Sequence, residues 1–319
     1  MTAAGSSLYA CDEFLDVIAQ VYFPGQRCTP KDYRVDGQVF RLLTAGGMRP
    51  VLRQTFIDMH EPLSDRREAA RLPGLPRLPD VARSPVPLEV YMDDVALKDG
   101  FGAPAILWES FVRWDDYLEL LKARRFAAED RRRGRRLEGL LGPLRYADDD
   151  TAPDVLPTCM AWKSARDNEA QRPDLFAIDA NRHFFVEMRR RGLLRASTLR
   201  AGERLLAIWL GAVHGGRWSG WVFTFNPDPE LRKFSLGRQL LYPMLESSFR
   251  AGHREFDFSI GMEHYKLDFA THVRPVLPLG LPPAHERLAD AGRRLLREHP
   301  WWADRARTVR GWLQRSAAR

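Results

Sequence analysis

Hydrophobic and polar positions recur with different periods along the chain, and each period predicts an element. In residues 12–23 apolar side chains recur every three or four positions, which predicts an amphipathic helix ended by the Pro-Gly pair that follows. Apolar runs at 38–43 and 49–57 flank two glycines and predict a β-hairpin. The proline-rich stretch 71–87 predicts an extended loop, because proline lacks a backbone donor, and a short strand is expected at 88–94.

The second half of the chain has a more regular order. A helical segment precedes three strand-like segments joined by glycine turns, and a helix, a strand, a short helix and a proline-interrupted edge strand follow. This order predicts an α+β fold with one mixed, mostly antiparallel sheet flanked by helices, and it argues against a run of βαβ units. The expected segments are helix 179–191, strands 193–200, 204–214 and 216–227, helix 236–251, strand 254–261, helix 263–271 and strand 273–279.

A long helix is also expected over residues 110–141, and arginines crowd its middle and end. Glu129 and Asp130 can pair with only part of that charge. The segment is therefore either an ordinary solvated helix face or a surface that binds anions. The arginines concerned are Arg124, Arg125, Arg131, Arg132, Arg133, Arg135 and Arg136.

Composition limits the classes of protein that fit this chain. Its 319 residues, 45% hydrophobic and 29% charged, suit one large or two ordinary globular domains. No apolar run reaches the roughly 18 residues of a transmembrane helix, no signal peptide is expected, and three scattered cysteines suit a reducing cytoplasm. The net charge of +7 comes from 43 arginines but only six lysines, a skew typical of GC-rich codon usage, so part of the charge is expected to be compositional.

The strong catalytic and metal-binding motifs are absent from the sequence. It contains no Walker or G-x-G-x-x-G loop, no G-x-S-x-G elbow, no H-E-x-x-H and no C-x-x-C pair. The eight histidines show no ligand spacing, so no metal is expected.

Two segments about 20 residues apart carry the candidate chemistry. The first, 234–239, is expected between a strand and a helix, where free N–H groups, the helix dipole and a glycine favour an anion. Arg232, Lys233 and Arg238 add positive charge there. The alternative is an ordinary helix start, with a serine cap and one glycine in the first turn.

The second segment, 257–266, brings two carboxylates, an imidazole, a phenol and an amine to a strand end and a helix start. Asp257 or Glu263 can act as a general base, Tyr265 can protonate a thiolate leaving group, and Lys266 can stabilise a tetrahedral intermediate. The alternative is structural: Tyr265 packs, Glu263 caps the helix and Asp257 pairs with an arginine.

In this order, the two segments resemble the C-terminal domain of GNAT-type acyltransferases. The resemblance runs from about residue 192 to 270, and it is strongest to the CelD-like cellulose-biosynthesis acetyltransferases, a branch related to FemAB-like aminoacyl transferases. The most specific piece is the pattern Asp-Phe-x-x-Gly-x-Glu-x-Tyr-Lys, which this chain matches at 257–266. The helical segment 116–141 also resembles the arginine-rich helix that precedes that domain.

The resemblance implies a sheet splayed around a cleft, a thioester donor, an amine acceptor and Tyr265 as the general acid. It implies that the first segment holds the pyrophosphate of a pantetheine donor, although of the superfamily's Q/R-x-x-G-x-G/A loop only Gly237 is present. The donor is therefore acyl-CoA, or an acyl carrier protein whose phosphopantetheine lacks the pyrophosphate, or an aminoacyl-tRNA. The expected donor-binding residues are Lys233, Ser235, Leu236, Gly237, Arg238 and Gln239.

Three functions are compatible with these features. The first is an N-acyltransferase that moves an acyl group from acyl-CoA or an acyl carrier protein thioester to a small-molecule or peptide amine. The second is a tRNA-dependent aminoacyl or peptidyl transferase of the FemAB-like type, and the third is a non-catalytic module that binds an acyl-thioester. We expect the first, without a metal and without DNA as a partner.

The chain is expected to divide into an N-terminal α/β domain at 1–110, a GNAT-like acyltransferase domain at 111–280 and a helical tail at 281–319. The N-terminal domain is in one interpretation a degenerate second GNAT-like half, which would make the protein a tandem. The tail predicts two basic amphipathic helices broken at Pro300. Its apolar stripe either packs on the domain, docks an acidic carrier protein or contacts an anionic membrane surface.

Overall fold

The computed structural model describes 220 of the 319 residues, and the structural statements below concern that part. The described residues are 7–35, 38–45, 49–50, 84–87, 102–124 and 126–279. The helices are α1 (Asp12–Tyr22), α2 (Trp114–Ala123), α3 (Phe126–Leu141), α4 (Val155–Glu169), α5 (Asp179–Arg190), α6 (Leu236–Arg250) and α7 (His264–Phe269). The strands are β1 (Cys28–Val35), β2 (Gln38–Ala45), β3 (Arg49–Pro50), β4 (Ser84–Pro87), β5 (Gly102–Leu107), β6 (Leu144–Ala147), β7 (Arg195–Ala201), β8 (Arg204–His214), β9 (Arg217–Phe225), β10 (Glu255–Asp257) and β11 (His272–Leu279).

Eight of these strands form one large sheet in the order β4-β11-β5-β10-β9-β8-β7-β6. Neighbouring strands are antiparallel except β9 and β10, which run parallel. Strands β1 to β3 form a separate antiparallel sheet. A mixed, mostly antiparallel sheet flanked by helices confirms the predicted fold class.

The β7-β8-β9 meander forms because its turns use glycine where the backbone requires a positive φ. Gly202 (φ 56°) lies between β7 and β8, and Gly215 and Gly216 (φ 55° and 76°) lie between β8 and β9. Two-residue turns of this kind match the twist of the strands that they join. These local signals are why the sequence predicted all three strands within two residues of their bounds.

Helices cover both faces of the large sheet and bury two apolar clusters. The first cluster lies under α1, α4 and α5, and the second under α2, α3, α6 and α7. Each large side chain buried in this way contributes about 1.5–3 kcal/mol relative to exposure. Representative members of the first cluster are Phe14, Phe184, Leu210 and Val222, and of the second Trp209, Trp218, Leu240, Phe256 and Phe269.

Most predicted elements of the second half are confirmed, and helices α1, α5, α6 and α7 and strands β8 and β11 have nearly the predicted bounds. Strand β10 is shorter than predicted, because the chain leaves β9 after Asp257. The predicted hairpin around the two glycines is present as β2 and β3. The rest of its second strand, the predicted strand 88–94 and the tail 281–319 lie outside the described residues.

The prediction of a single helix over 110–141 is wrong. Arg124 has an extended backbone (φ −88°, ψ 106°) and separates α2 from α3. Its guanidinium donates to the carbonyl oxygens of Leu267, Asp268 and Ala270 at 3.2, 2.5 and 3.0 Å. Arg124 therefore satisfies carbonyl groups at the C-terminal end of α7, where a cation is favoured, and is not part of a solvated arginine face.

The large sheet contains strands from both sides of the predicted boundary at residues 110 and 111. Strand β5 lies between β10 and β11, and β4 within the proline-rich stretch pairs with β11. Helix α1 packs on α5 in the first cluster. The N-terminal segments thus share the sheet and core of the later ones, and the division of the chain into domains, including the tandem arrangement, stays a prediction.

The described residues bear on cofactors and on membranes in two ways. None of the helices there combines the length and the apolar character needed to cross a bilayer. In the same residues no group of three or more histidines, cysteines or carboxylates is placed to hold a metal ion.

Candidate active site

The parallel pairing of β9 and β10 ends after three residue pairs. The pairs are Arg217 with Glu255, Trp218 with Phe256 and Ser219 with Asp257. Beyond Asp257 the chain follows β5 instead, since the N–H groups of Phe258 and Gly261 donate to the carbonyl oxygens of Pro104 and Gly102, both at 2.9 Å. Strand β9 continues to Phe225. Residues 220–225 pair with β8 on one side. On the other side, which β10 has left, they have no strand partner in the described chain.

Asp257 and Lys266 hold the turn that leads from β10 into α7. The Oδ1 atom of Asp257 accepts from the N–H of Ser259 at 2.8 Å, which fixes the left-handed backbone of Ser259 (φ 60°). The Nζ atom of Lys266 donates to the carbonyl oxygen of Ile260 at 2.8 Å and lies 2.9 Å from Oε2 of Glu263. The two residues thereby position the segment that carries Tyr265.

Asp257 also belongs to a buried charge cluster at the base of the β9–β10 pair. Its carboxylate is fully buried and lies 2.5 Å from the guanidinium of Arg274 and 3.6 Å from that of Arg217. Glu255 contacts the same two arginines at 3.2 and 3.3 Å. Burial raises the pKa of Asp257, and Glu255 adds to this while Arg274 opposes it. These contacts favour a structural role for Asp257, and its predicted role as a base stays a prediction.

Tyr265 lies half-buried beside the free edge of β9. Its ring centroid is 6.4 Å from that of Phe223 and 6.5 Å from that of Trp209. Burial, with the charge of Glu263, raises the pKa of Tyr265 well above its usual value, and the charge of Arg166 opposes that shift. The phenol is therefore protonated at neutral pH and can donate a hydrogen bond. Glu263 is exposed at the start of α7, so its carboxylate can reach solvent or a bound amine.

The start of α6 carries the predicted donor-binding segment. Ser235 precedes the helix with a left-handed backbone (φ 53°), and its Oγ atom accepts from Arg133 of α3 at 2.6 Å. The N–H groups of Arg238 and Gln239 donate to the carbonyl oxygen of Ser235 at 2.8 and 3.2 Å. Those of Leu236 and Gly237 have no intrahelical acceptor, as expected for the first turn. The two N–H groups can receive an anion. The nearby Arg133 is itself ion-paired with Glu129 at 2.9 Å.

Gly237 is required by packing rather than by a phosphate. A Cβ atom built on it would lie 2.7 Å from Cε1 of Phe223. The ring of Phe223, on β9, therefore occupies the space beside the first turn of α6. The N–H of Gly237, which in a helix points along the axis, is not covered by this contact.

Most side chains of the predicted donor-binding segment point into the protein. Leu236 belongs to the second apolar cluster. Arg238 forms ion pairs with Asp130 and Asp268, both at 2.6 Å, and Gln239 donates to the carbonyl oxygen of Asp130 at 3.0 Å. These contacts join α6 to α3 and α7. The placement of these three side chains does not support a role in binding a donor, and that role stays a prediction.

Lys233 is exposed, and its Nζ atom lies 5.3 Å from the ring centroid of Phe234. On the neighbouring helix α3, Arg131, Arg135 and Arg136 are exposed and have no ion pair within the described residues. The start of α6 is thus bordered by free positive charge.

Arg166, which is not among the residues predicted from the sequence, lies close to this site. It belongs to α4, a helix that was not predicted, and its guanidinium carbon is 4.5 Å from the ring centroid of Phe225 at the end of β9. Val155, Cys159 and Trp162 recur at helical spacing and could have indicated the helix. Nothing in the sequence distinguishes Arg166 from the other arginines.

A surface pocket of about 220 Å³ opens on the face covered by α4 and α5. Asp150, Arg189, Leu194 and Leu210 are among its lining residues, and none of the predicted site residues lines it. Asp150 and Arg189 are engaged with Arg200 and Asp149, so the pocket offers little free charge.

Comparison with known proteins agrees with the geometry. The family model for the acetyltransferase (GNAT) domain matches residues 124–267, a range that contains every site residue predicted above. This confirms the GNAT-type domain that the sequence resembles, while the CelD-like branch stays a prediction. No curated protein matches the sequence.

Solved structures similar to this chain include that of FemX, at 11% identity and a TM-score of 0.50, over 85% of this chain and 92% of that one. This similarity concerns the fold. A conserved protein of unknown function from Bacteroides thetaiotaomicron has 13% identity and a TM-score of 0.45, over 86% and 93% of the two chains. A tandem GNAT protein from the clavulanic acid biosynthesis pathway has 10% identity and a TM-score of 0.40, over 86% and 89%.

Proposed function

We propose that the protein is an N-acyltransferase that moves an acyl group from a pantetheine thioester to an amine. The carrying observation is the departure of β10 from β9 after Ser219, which leaves the edge of residues 220–225 unpaired next to the phenol of Tyr265. An extended chain with amide groups can pair with such an edge through backbone hydrogen bonds. The pantetheine arm is an extended chain of this kind, and its thioester would then lie near Tyr265.

The start of α6 supports a donor with phosphate at the far end of the pantetheine arm. The N–H groups of Leu236 and Gly237, which have no intrahelical acceptor, provide donors for one phosphate. Arg133, which donates to Ser235, is ion-paired with Glu129 at 2.9 Å, so the uncompensated positive charge near this helix start is that of Lys233 and of the exposed arginines of α3. Acyl-CoA and a carrier-bound phosphopantetheine both carry a phosphate there. The exposed arginines of α3 are compatible with the further phosphates of CoA and with an acidic carrier protein.

The chemistry assigned to this site is aminolysis of a thioester. The neutral amine attacks the thioester carbonyl, a tetrahedral intermediate forms, and the carbon–sulfur bond breaks to give an amide and a thiol. Tyr265 donates its hydrogen to the departing sulfur, and Glu263 or solvent accepts the proton that the amine loses. Lys266 and Asp257 position the turn that carries Tyr265 and Glu263.

The experiment is a transfer assay on the full chain. Purified protein is mixed with acetyl-CoA, with long-chain acyl-CoA or with acyl carrier protein, and with panels of amines and amine-bearing peptides. Thiol release and mass spectrometry of the products are measured. Enzyme-dependent amide formation supports the proposal and names the donor, whereas thiol release at background with every donor and amine contradicts it.

A second candidate function is transfer of an aminoacyl group from tRNA. The observation that favours it is the exposed, unpaired arginine face of α3, formed by Arg131, Arg135 and Arg136. It predicts tRNA binding that weakens by orders of magnitude between about 50 and 200 mM salt. Replacing the three arginines by alanine should weaken binding further, while replacing Arg113, Arg145 and Arg250, exposed elsewhere, should not. Salt-independent or absent binding contradicts this candidate.

A further inference from the structure

Arg166 differs from the other half-buried arginines of the described chain because it has no polar partner there. Its guanidinium lies over the ring of Phe225, and no ion pair or hydrogen bond joins it to a described residue. The others each meet a carboxylate or a carbonyl oxygen, as Arg124 and Arg238 do. Arg166 is therefore an exception among the half-buried arginines of the described chain.

The acidic residues next to Arg166 on α4 are engaged elsewhere. Asp167 forms ion pairs with Lys163 and, at 3.4 Å, with Arg172. Glu169 lies 3.1 Å from the guanidinium of Arg232. The carboxylates that could neutralise Arg166 are thus bound by other cations.

Its surroundings make Arg166 a strong site for an anion. Burial lowers the pKa of Arg166, and the charge of Arg172 adds to this effect. Stacking on an aromatic ring such as Phe225 offsets only part of the loss of hydration. A desolvated guanidinium keeps its charge and presents N–H donors in a planar fork that fits a carboxylate or a phosphate.

Arg166 also lies at the end of the proposed cleft. Phe225 is the last residue of β9, its ring centroid is 5.8 Å from that of Phe223, and Phe223 is 6.4 Å from Tyr265. The aromatic row thus leads from the guanidinium to the phenol. The charge of Arg166 acts on Tyr265 as well.

We propose that Arg166 binds an oxyanion, a carboxylate or a phosphate, of a ligand that lies along the free edge of β9. The identity of that ligand as acyl acceptor or acyl donor rests on the proposed function, but the anion site does not. If the acceptor carries the oxyanion, Arg166 selects amines that bear a carboxylate or phosphate. If the donor carries it, Arg166 shares the pantetheine phosphate assigned above to the start of α6, or it holds a further phosphate of CoA.

The test is isothermal titration calorimetry with the wild-type chain, Arg166→Gln and Arg166→Lys. Arg145→Gln, which removes an exposed arginine from β6, is the control for net charge. In the donor arm the probes are CoA, 4′-phosphopantetheine and pantetheine, which has no phosphate. In the acceptor arm they are glycine and glycinamide, L-glutamate and L-glutamine, and 4-aminobenzoate and aniline.

Arg166→Gln removes one pair of charge-assisted hydrogen bonds to the oxyanion. We therefore expect this variant to bind the anionic probe at least about tenfold more weakly than the wild type does. Its uncharged counterpart should bind unchanged, and Arg166→Lys should be intermediate. A tenfold loss confined to CoA and phosphopantetheine assigns the oxyanion to the donor, and a loss confined to the carboxylates assigns it to the acceptor. An Arg166→Gln variant that binds all probes as the wild type does overturns the proposal, and so does a wild type that binds no anionic probe.

Stability gives a readout that requires neither ligand nor turnover. Arg166→Met should melt no lower than the wild type, because it removes a desolvated cation without a partner. Arg189→Met, which breaks an ion pair with Asp149, should melt lower. Equal losses in both variants would make Arg166 an ordinary structural residue and overturn the proposal. Anion binding at Arg166 without acyl transfer would contradict the proposed function but not the anion site. Acyl transfer without anion binding at Arg166 would contradict the anion site but not the proposed function.

Discussion

Phe223 of β9 occupies the space that a side chain at Gly237 of α6 would need, since a Cβ atom there would lie 2.7 Å from Cε1 of the ring. The contact joins the free edge of β9 to the first turn of α6, the two parts of the site that the proposed donor would bridge. It explains why this glycine is present in a loop that otherwise departs from the GNAT pattern.

Gly237→Ala should therefore destabilise the protein, although alanine is the better helix former. Overpacking of this kind costs about 1–3 kcal/mol, and Phe223→Leu should recover part of the loss by making room. Urea denaturation of the two single variants and the double variant measures it. The control is Gly139→Ala on α3, where nothing lies within 4 Å and a gain of about 0.5–1 kcal/mol is expected. An equal gain at both glycines would contradict the packing argument.

Tyr265→Phe should lower kcat for acyl transfer by about 10²–10⁴-fold, the usual contribution of a general acid, with little change in KM. The ring contacts with Phe223 and Trp209 remain, so the fold should be retained. Steady-state kinetics with the donor found in the transfer assay provide the measurement. Tyr146→Phe, which removes a phenol on edge strand β6, serves as the control and should leave kcat unchanged. Equal rates for Tyr265→Phe and wild type would remove the acid from the mechanism.

Lys266→Met should lower both stability and kcat. It leaves the carbonyl oxygen of Ile260 without its donor, at a cost of about 1–3 kcal/mol, and frees the turn before Tyr265. Lys122→Met on α2 removes a lysine whose ion pair with Glu119 is exposed, so its effect should stay below about 1 kcal/mol. Chemical denaturation compares the two variants. The positioning role would be lost if Lys266→Met matched Lys122→Met in both stability and kcat.

The stability of the protein should decrease as the pH falls below about 6.5. Burial lowers the pKa of His253, which lies 3.0 Å from Oγ of Ser248, and burial also lowers that of His272. The unfolded chain therefore binds protons before the folded one does, and the free energy of unfolding declines from the usual histidine pKa down to the folded value. Urea denaturation at a series of pH values measures the slope, and His253→Gln should make it shallower. A slope that the substitution leaves unchanged would show that His253 does not contribute.

The parts of the fold that follow from local signals were predictable. The β7-β8-β9 meander depends on alternation and on glycine turns, and α6 depends on helical spacing, so each is encoded within a short stretch. Strand β5 was not predicted, although it is an interior strand of the sheet. Its partners β10 and β11 are about 150 residues away, and its own pattern is short.

For the candidate site, the sequence located the right segments but not the role of each side chain. The pattern at 257–266 pointed to Tyr265 and Glu263. The structure places Tyr265 beside the free edge of β9 and Glu263 at the start of α7. The sequence left Asp257 open between a general base and the partner of an arginine. Only the folded chain brings Arg274 to its carboxylate and the Nζ atom of Lys266 to the carbonyl oxygen of Ile260.

By itself the sequence determined the β7-β8-β9 meander and the elements from α6 to β11, the GNAT-type character of the segment that carries the site and the excess of arginine. Only the tertiary structure decided which arginines are engaged and which are free. Arg238 meets Asp130 across 108 positions of the chain, whereas Arg166 stacks on Phe225 and finds no carboxylate in the described residues. The physical reason is that the charges which folding brings near an arginine decide whether it forms a structural ion pair or stays available to bind a ligand. Those charges are distant in sequence.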